Sequence, residues 1–138
     1  MVKGITHILI NNAEVQALVG RNKANTKYKA YPVICPNPET WPYSVVRQTG
    51  RTKFGDGKCA GTTWTYSYDV YSFHKNYEEA EALDIAVVEA LDLFNGGTYN
   101  GVDFQEIRPT NTGRDIDFDV DHNLYGKVSS FEAEVNEN

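Results

Sequence analysis

The chain has 138 residues, enough for one domain that buries a core without disulfide or metal staples. Hydrophobic residues make up 41% and aromatics 12%, with nine tyrosines, a composition that argues against disorder and favours strands and contact surfaces. Thirteen basic against nineteen acidic residues leave a net charge of −6, which argues against the clustered cationic footprint of a nucleic-acid binder.

The opening MVKGITHILINN lacks the length of a signal segment's apolar region and has no cleavage site. No stretch reaches the roughly 18 consecutive apolar residues of a membrane span, so the expectation is a soluble protein made in a cytoplasm. Ile5, Ile8 and Leu9 share one helical face, and Val15, Leu18 and Val19 continue it. Asn11 with Glu14 three positions on forms a capping-box-like pair, and Gly20 stops the run. The segment predicts one bent helix or two short ones. Residues 21–27 are polar and basic and read as a loop.

Residues 28–35 (YKAYPVIC) predict a strand that Pro32 confines to an edge or a break. Residues 35–42 (CPNPETWP) hold three prolines in eight positions, a rigid extended connector. Residues 43–52 (YSVVRQTGRT) are a strand by their β-branched content, and 53–61 (KFGDGKCAG) are an exposed hairpin tip. The tip lacks the spacing of a phosphate-binding loop, and no helix follows it. Cys35 and Cys59 read as free thiols in a reducing compartment, with pairing left open.

Residues 62–73 (TTWTYSYDVYSF) predict the longest strand, with Trp64, Tyr66, Tyr68 and Val70 on one face by period two. Residues 76–94 (NYEEAEALDIAVVEALDLF) carry the strongest periodic signal. Asn76 caps this helix with Glu79 at the capping-box position, and Glu78, Glu79 and Glu81 sit where the helix dipole favours negative charge. Ala80, Leu83, Val87, Leu91 and Phe94 form a core stripe that Ala82, Ile85, Ala86, Val88 and Ala90 widen past half the circumference. So wide an apolar surface predicts a second cover, from the N-terminal helix or another subunit. Gly96 and Gly97 end the helix.

A strand follows around 102–108, stopped by Pro109, with a turn over 110–113. Residues 115–121 alternate Asp115, Asp117, Asp119 and Asp121 with Ile116, Phe118 and Val120, a separate amphipathic strand, and 127–135 close the chain. The predicted order is α–β–β–β–α–β–β–β in a single domain.

No catalytic constellation emerges. Carboxylates two apart on one strand face lie about 7 Å apart, too far to grip one metal in adjacent pairs. The four aspartates read as a solvated strand face, or as an acidic rim that repels DNA phosphates. His7, His74 and His122 lack metal-ligand spacing, and Asp121 with His122 is the one weak hint of an acid–base pair. Cofactors and metals are not expected.

Taken in order, several features resemble one family. They are the N-terminal amphipathic helix ending ALVG, the Tyr31–Pro32 pair before a proline-rich connector, and WPYSVV opening a strand. A long strand ending DVYSF and an EEA helix ending EALD follow. Together they resemble the tail-completion or tail-terminator proteins of long-tailed bacteriophages. The resemblance implies an α+β domain, with an N-terminal helix and one long helix on a mostly antiparallel sheet and a long β-hairpin. It implies a non-enzymatic virion protein that forms a ring, commonly a hexamer, at the head-proximal end of the tail tube. Its partners would be copies of itself, the tail tube protein and a head-completion or connector protein, with DNA passing the lumen without sequence-specific binding. Trp41, Lys53, Phe54, Asp56, Lys58 and Trp64 are the expected contact positions. Two alternatives stand beside it: a neck adaptor docking on the portal side, and a small enzyme or ligand-binding domain using Asp121 and His122.

Overall fold

The computed structural model describes residues 2–20, 28–32, 42–53, 63–92, 94, 96–99, 102–119 and 124–136. Two short helices, α1 (Val2–Ile10) and α2 (Ala13–Val19), precede strands β1 (Ala30–Pro32), β2 (Tyr43–Lys53) and β3 (Thr63–His74). A long helix, α3 (Tyr77–Asp92), leads into β4 (Gly97–Tyr99), β5 (Val102–Asp119) and β6 (Leu124–Asn136). The strands make one six-stranded sheet in the order β1-β2-β3-β6-β5-β4. Only β1 and β2 run parallel; every other neighbouring pair is antiparallel. The expected α+β architecture and the β2–β3 hairpin are both present. Among the described residues no helix is long and apolar enough to cross a membrane.

Periodicity builds the core. Along β3 the side chains of Tyr66, Tyr68, Val70 and Ser72 are buried while their neighbours are half-buried. Paired across the sheet, Tyr68 meets Phe131, Tyr66 meets Ala133 and Val46 meets Val70. Onto this face α3 lays Ala80, Leu83, Val87 and Leu91, and α1 and α2 add Ile5, Leu9, Val15 and Val19. Each such large apolar side chain contributes about 1.5–3 kcal/mol by leaving water. The predicted wide stripe of α3 divides. Ala86 is buried against the core and Val88 is half-buried, while Ala82 and Ile85 are exposed.

Several expectations need correction. The N-terminal segment is two short helices, one of the two expected forms, but the cap between them is Asn12, one residue later than read. Its side chain accepts from the N–H groups of Glu14 and Val15, both at 3.1 Å. Asn76 does cap α3, accepting from Glu78 N–H at 2.9 Å. Glu79 instead turns to His74, whose Nδ1 accepts the Asn76 N–H at 2.9 Å. The imidazole thus fills the place the capping box assigns to glutamate. Helix α3 ends at Asp92, so Phe94 lies beyond it, edge-on to Phe104. The short strand β4 begins at Gly97 and was not foreseen.

The largest correction concerns β5. Pro109 stops nothing, and residues 110–113 are no free turn; one 18-residue strand runs through both. Beyond Phe104, β5 pairs only with β6, so a missing N–H on its other side breaks no ladder. The surplus residues are absorbed by register shifts near 105, 110, 112–113 and 117–118, with Gly113 at φ 70° in the left-handed region that favours glycine.

Candidate interaction surface

The core cluster draws on one face of the sheet only. That face contains one buried polar relay. Gly113 N–H donates to Ser129 Oγ at 3.0 Å, and Ser129 Oγ–H donates to Asp84 Oδ1 at 2.7 Å. It ties the β5 bulge, β6 and α3 together. Burial pushes the Asp84 carboxyl up, against the Ser129 hydrogen bond and nearby Lys127, which pull it down. Beside it a shallow groove of about 260 Å³ is lined by Asp84, Ile85, Val88, Glu89, Thr112 and Gly113. Ile85 is 50% exposed there.

The opposite face is built from the alternate residues of the same strands. At one end it is apolar. Tyr43 and Phe73 have ring centroids 5.2 Å apart, Tyr71 stacks on Phe73 at 6.3 Å, and Val45 and Val128 flank Tyr71 as cross-strand partners. Toward the other end it is charged. Arg108 spans Glu132 at 2.8 Å, Glu134 at 3.2 Å and Glu106 at 3.4 Å. Next to it, Ser130 donates to Asp69 and accepts from Arg114.

Where α3 begins, Asp115 accepts from Lys127 Nζ at 2.7 Å and from the Tyr77 hydroxyl at 3.0 Å. These two bonds hold the Asp115 carboxyl below the usual carboxylate range, and Asp115 and Tyr77 in turn raise the Lys127 ammonium above its ordinary value. The first of the alternating aspartates is therefore part of a specific contact, with Lys127 also 4.8 Å from the Tyr77 ring centroid.

Of the expected contact positions, Trp41, Phe54, Asp56 and Lys58 lie outside the described residues, as do Cys35, Cys59, Asp121 and His122. Lys53 and Trp64 are brought together as cross-strand partners at the end of the β2–β3 hairpin. Trp64 is half-buried, with the Arg51 guanidinium 4.6 Å from its ring centroid. Among the described residues no group of three or more His, Cys, Asp or Glu side chains could hold a metal ion. His74 serves the start of α3 as described above.

Sequence reasoning passed over three features. Asp84 lies four residues after Ala80 and three before Val87, on the buried stripe, and that spacing was the available signal. The Arg108 cluster was hidden because two of its three carboxylates come from β6, 24 and 26 positions away. The basic run Arg47, Arg51 and Lys53 along β2 was visible, but its position near the sheet margin was not.

No protein-family model matches the chain, and no curated protein sequence matches it. Its fold does match a solved structure. One chain of the virion of a native gene transfer agent particle superposes with a TM-score of 0.65 at 16% sequence identity, covering 99% of this chain and 95% of that one. At that identity the likeness establishes a shared fold along nearly the full length of both chains.

Proposed function

We propose that this protein is a structural component of a virion. Its copies assemble into a ring, expected to be a hexamer, on the head-proximal end of a tail tube. The ring covers the last tube ring, stops further polymerisation and offers its other side to a head-completion or connector protein. Its action is surface complementarity, without bond making. The observation that carries the reading is the end-to-end fold likeness to a chain of a gene transfer agent virion. The family resemblance of the ALVG, WPYSVV, DVYSF and EALD segments points the same way.

Other features fit. The net charge is negative, as suits a lumen that DNA must pass without sticking. Ile85 leaves an apolar residue exposed on α3 for a neighbour to cover. Native mass spectrometry and negative-stain imaging of the purified protein, alone and with tail tubes, test the reading. Rings that cap one end of the tubes are expected. A strict monomer that never associates with tube ends would overturn it, and rings that bind only the portal side would favour the neck-adaptor alternative.

A further inference from the structure

The sheet has two long margins that its own short strands cover only in part. Strand β1 pairs with Ser44, Val45 and Val46 of β2, and β4 pairs with Val102, Asp103 and Phe104 of β5. Among the described residues nothing pairs with the outer edge of β2 over 47–53, nor with that of β5 over 105–119. The first margin is exposed at Arg47, Gln48, Thr49, Arg51 and Thr52, and the second at each residue of 110–115. Unpaired backbone N–H and C=O groups along such edges form a template for another strand.

Charge selects the partner. The β2 margin reads RQTGRTK, with Arg47, Arg51 and Lys53 and no acid. The far part of the β5 margin reads GRDIDFD, with Asp115, Asp117 and Asp119, of which Asp115 is already paired with Lys127 of its own chain. Its one cation, Arg114, is engaged with Ser130 and Asp69 of its own chain. A two-fold pairing of like margins would set aspartates against aspartates or arginines against arginines, which is repulsive. A head-to-tail pairing sets one against the other, and repeated head-to-tail contacts form a ring when the rotation per copy closes.

Strand direction agrees. The run β2-β3-β6-β5 alternates at every step, so β2 and β5 point in opposite senses. A second copy rotated about an axis along the strands therefore brings its β2 antiparallel to β5. The short strands set the offset. Arg47 lies in the row of Asp69, Ser130 and Asn111, so a flush alignment would drive the next copy's β1 into the lower part of β5. Sliding the next copy by six rows of the ladder, from Ser130 to Leu124 and roughly 20 Å, carries β1 past the end of β5. That offset lays 47–53 along 113–119, and closed sheets require such a stagger.

We infer that the outer edge of β2 (residues 47–53) of one copy pairs antiparallel with the outer edge of β5 (residues 113–119) of the next, basic against acidic, as the subunit contact of the ring. This rests on the ring reading above and adds which surfaces meet.

The test uses the full chain. The double variant Arg47→Glu/Arg51→Glu and the double variant Asp117→Arg/Asp119→Arg should each lose rings in native mass spectrometry while keeping the wild-type circular dichroism spectrum. The four changes together should restore rings. In a Cys35→Ser/Cys59→Ser background, Thr49→Cys with Asp117→Cys should give a reducible ladder of disulfide-linked multimers, since paired edges hold Cα atoms within disulfide reach. Rings that survive both reversals, or that form without the ladder, overturn this contact and leave the ring reading standing. A wild-type chain that forms no ring, alone or on tail tubes, overturns both.

Discussion

The two faces of the sheet come from alternate residues of the same strands, yet they are held by different physics. Under the helices, Tyr68, Phe131 and Val135 pack with almost no exposure, and the polar groups admitted there include the Asp84–Ser129–Gly113 relay. On the other face, Arg108 bridges three carboxylates while partly exposed to water, where ion pairs are worth little. The lesson is a division of labour. Most of the buried apolar side chains lie on the covered face, while the other face buries Val45 and Val128 at one end and carries ion pairs at the other.

The largest effect should come from the covered face. Phe131→Ala removes a ring that is 1% exposed and should cost about 3–5 kcal/mol in urea unfolding. A loss below about 1 kcal/mol would break the comparison outright.

The apolar end of the open face should lie in between. A Cβ at Gly126 would run into the tip of Ile116 and come within 3.1 Å of Phe73 Cε1. Gly126→Ala should therefore cost roughly 1–3 kcal/mol. Because the closest atom is the end of a flexible side chain, Ile116→Val in the same chain should recover part of that loss. Full stability in the single variant would mean that this end is loosely packed.

Smaller again is the charged end. Arg108→Ala should lower stability by about 1 kcal/mol or less, and by less still in high salt, because three carboxylates then lose their shared counter-ion in a screened setting. A loss as large as that of Phe131→Ala would show the open face to be a second core.

The finest distinction is one of sign. The folded Asp84 carboxyl titrates above its unfolded value because burial disfavours its charge. Its stabilising contribution is complete below the unfolded value of 3.8 and is lost as pH rises through the raised folded value. Asp84→Asn, which keeps an acceptor for Ser129, should gain on the wild type as pH climbs from about 4 toward neutrality. A difference that is flat in pH, or that falls, would show that Asp84 is not titrating as a buried acid.

Much of this fold was legible because periodicity reports a buried face directly. Ala80, Leu83, Val87 and Leu91 recur at helical spacing, and Tyr66, Tyr68 and Val70 alternate as a strand covered on one side must. Punctuation misled where tertiary pairing overrode it. Pro109 and the following TNTG carry every local mark of a turn, yet β6 supplies a ladder on one side and the sheet margin forgives the proline on the other. The site was less legible than the fold. Lys53 was singled out as part of the hairpin tip and Trp64 as an aromatic, and neither choice shows that β2 lies near a margin. That position follows from β1 pairing with only Ser44, Val45 and Val46 of β2, a parallel contact that no local window contains.

The bulged strand β5 carries a final consequence. Seventeen residues of β5, from Asp103 to Asp119, run alongside thirteen of β6. A ribbon whose hem is longer than the cloth beside it cannot lie flat; it ruffles or rolls. Each bulge adds bend and twist at its own place, so the rolling of this sheet is written as a count of residues. Shortening the hem by one bulge residue, Thr110 or Thr112, would change an angle more than it changes a contact. In any closed assembly of identical copies, an angle per copy is a number of copies.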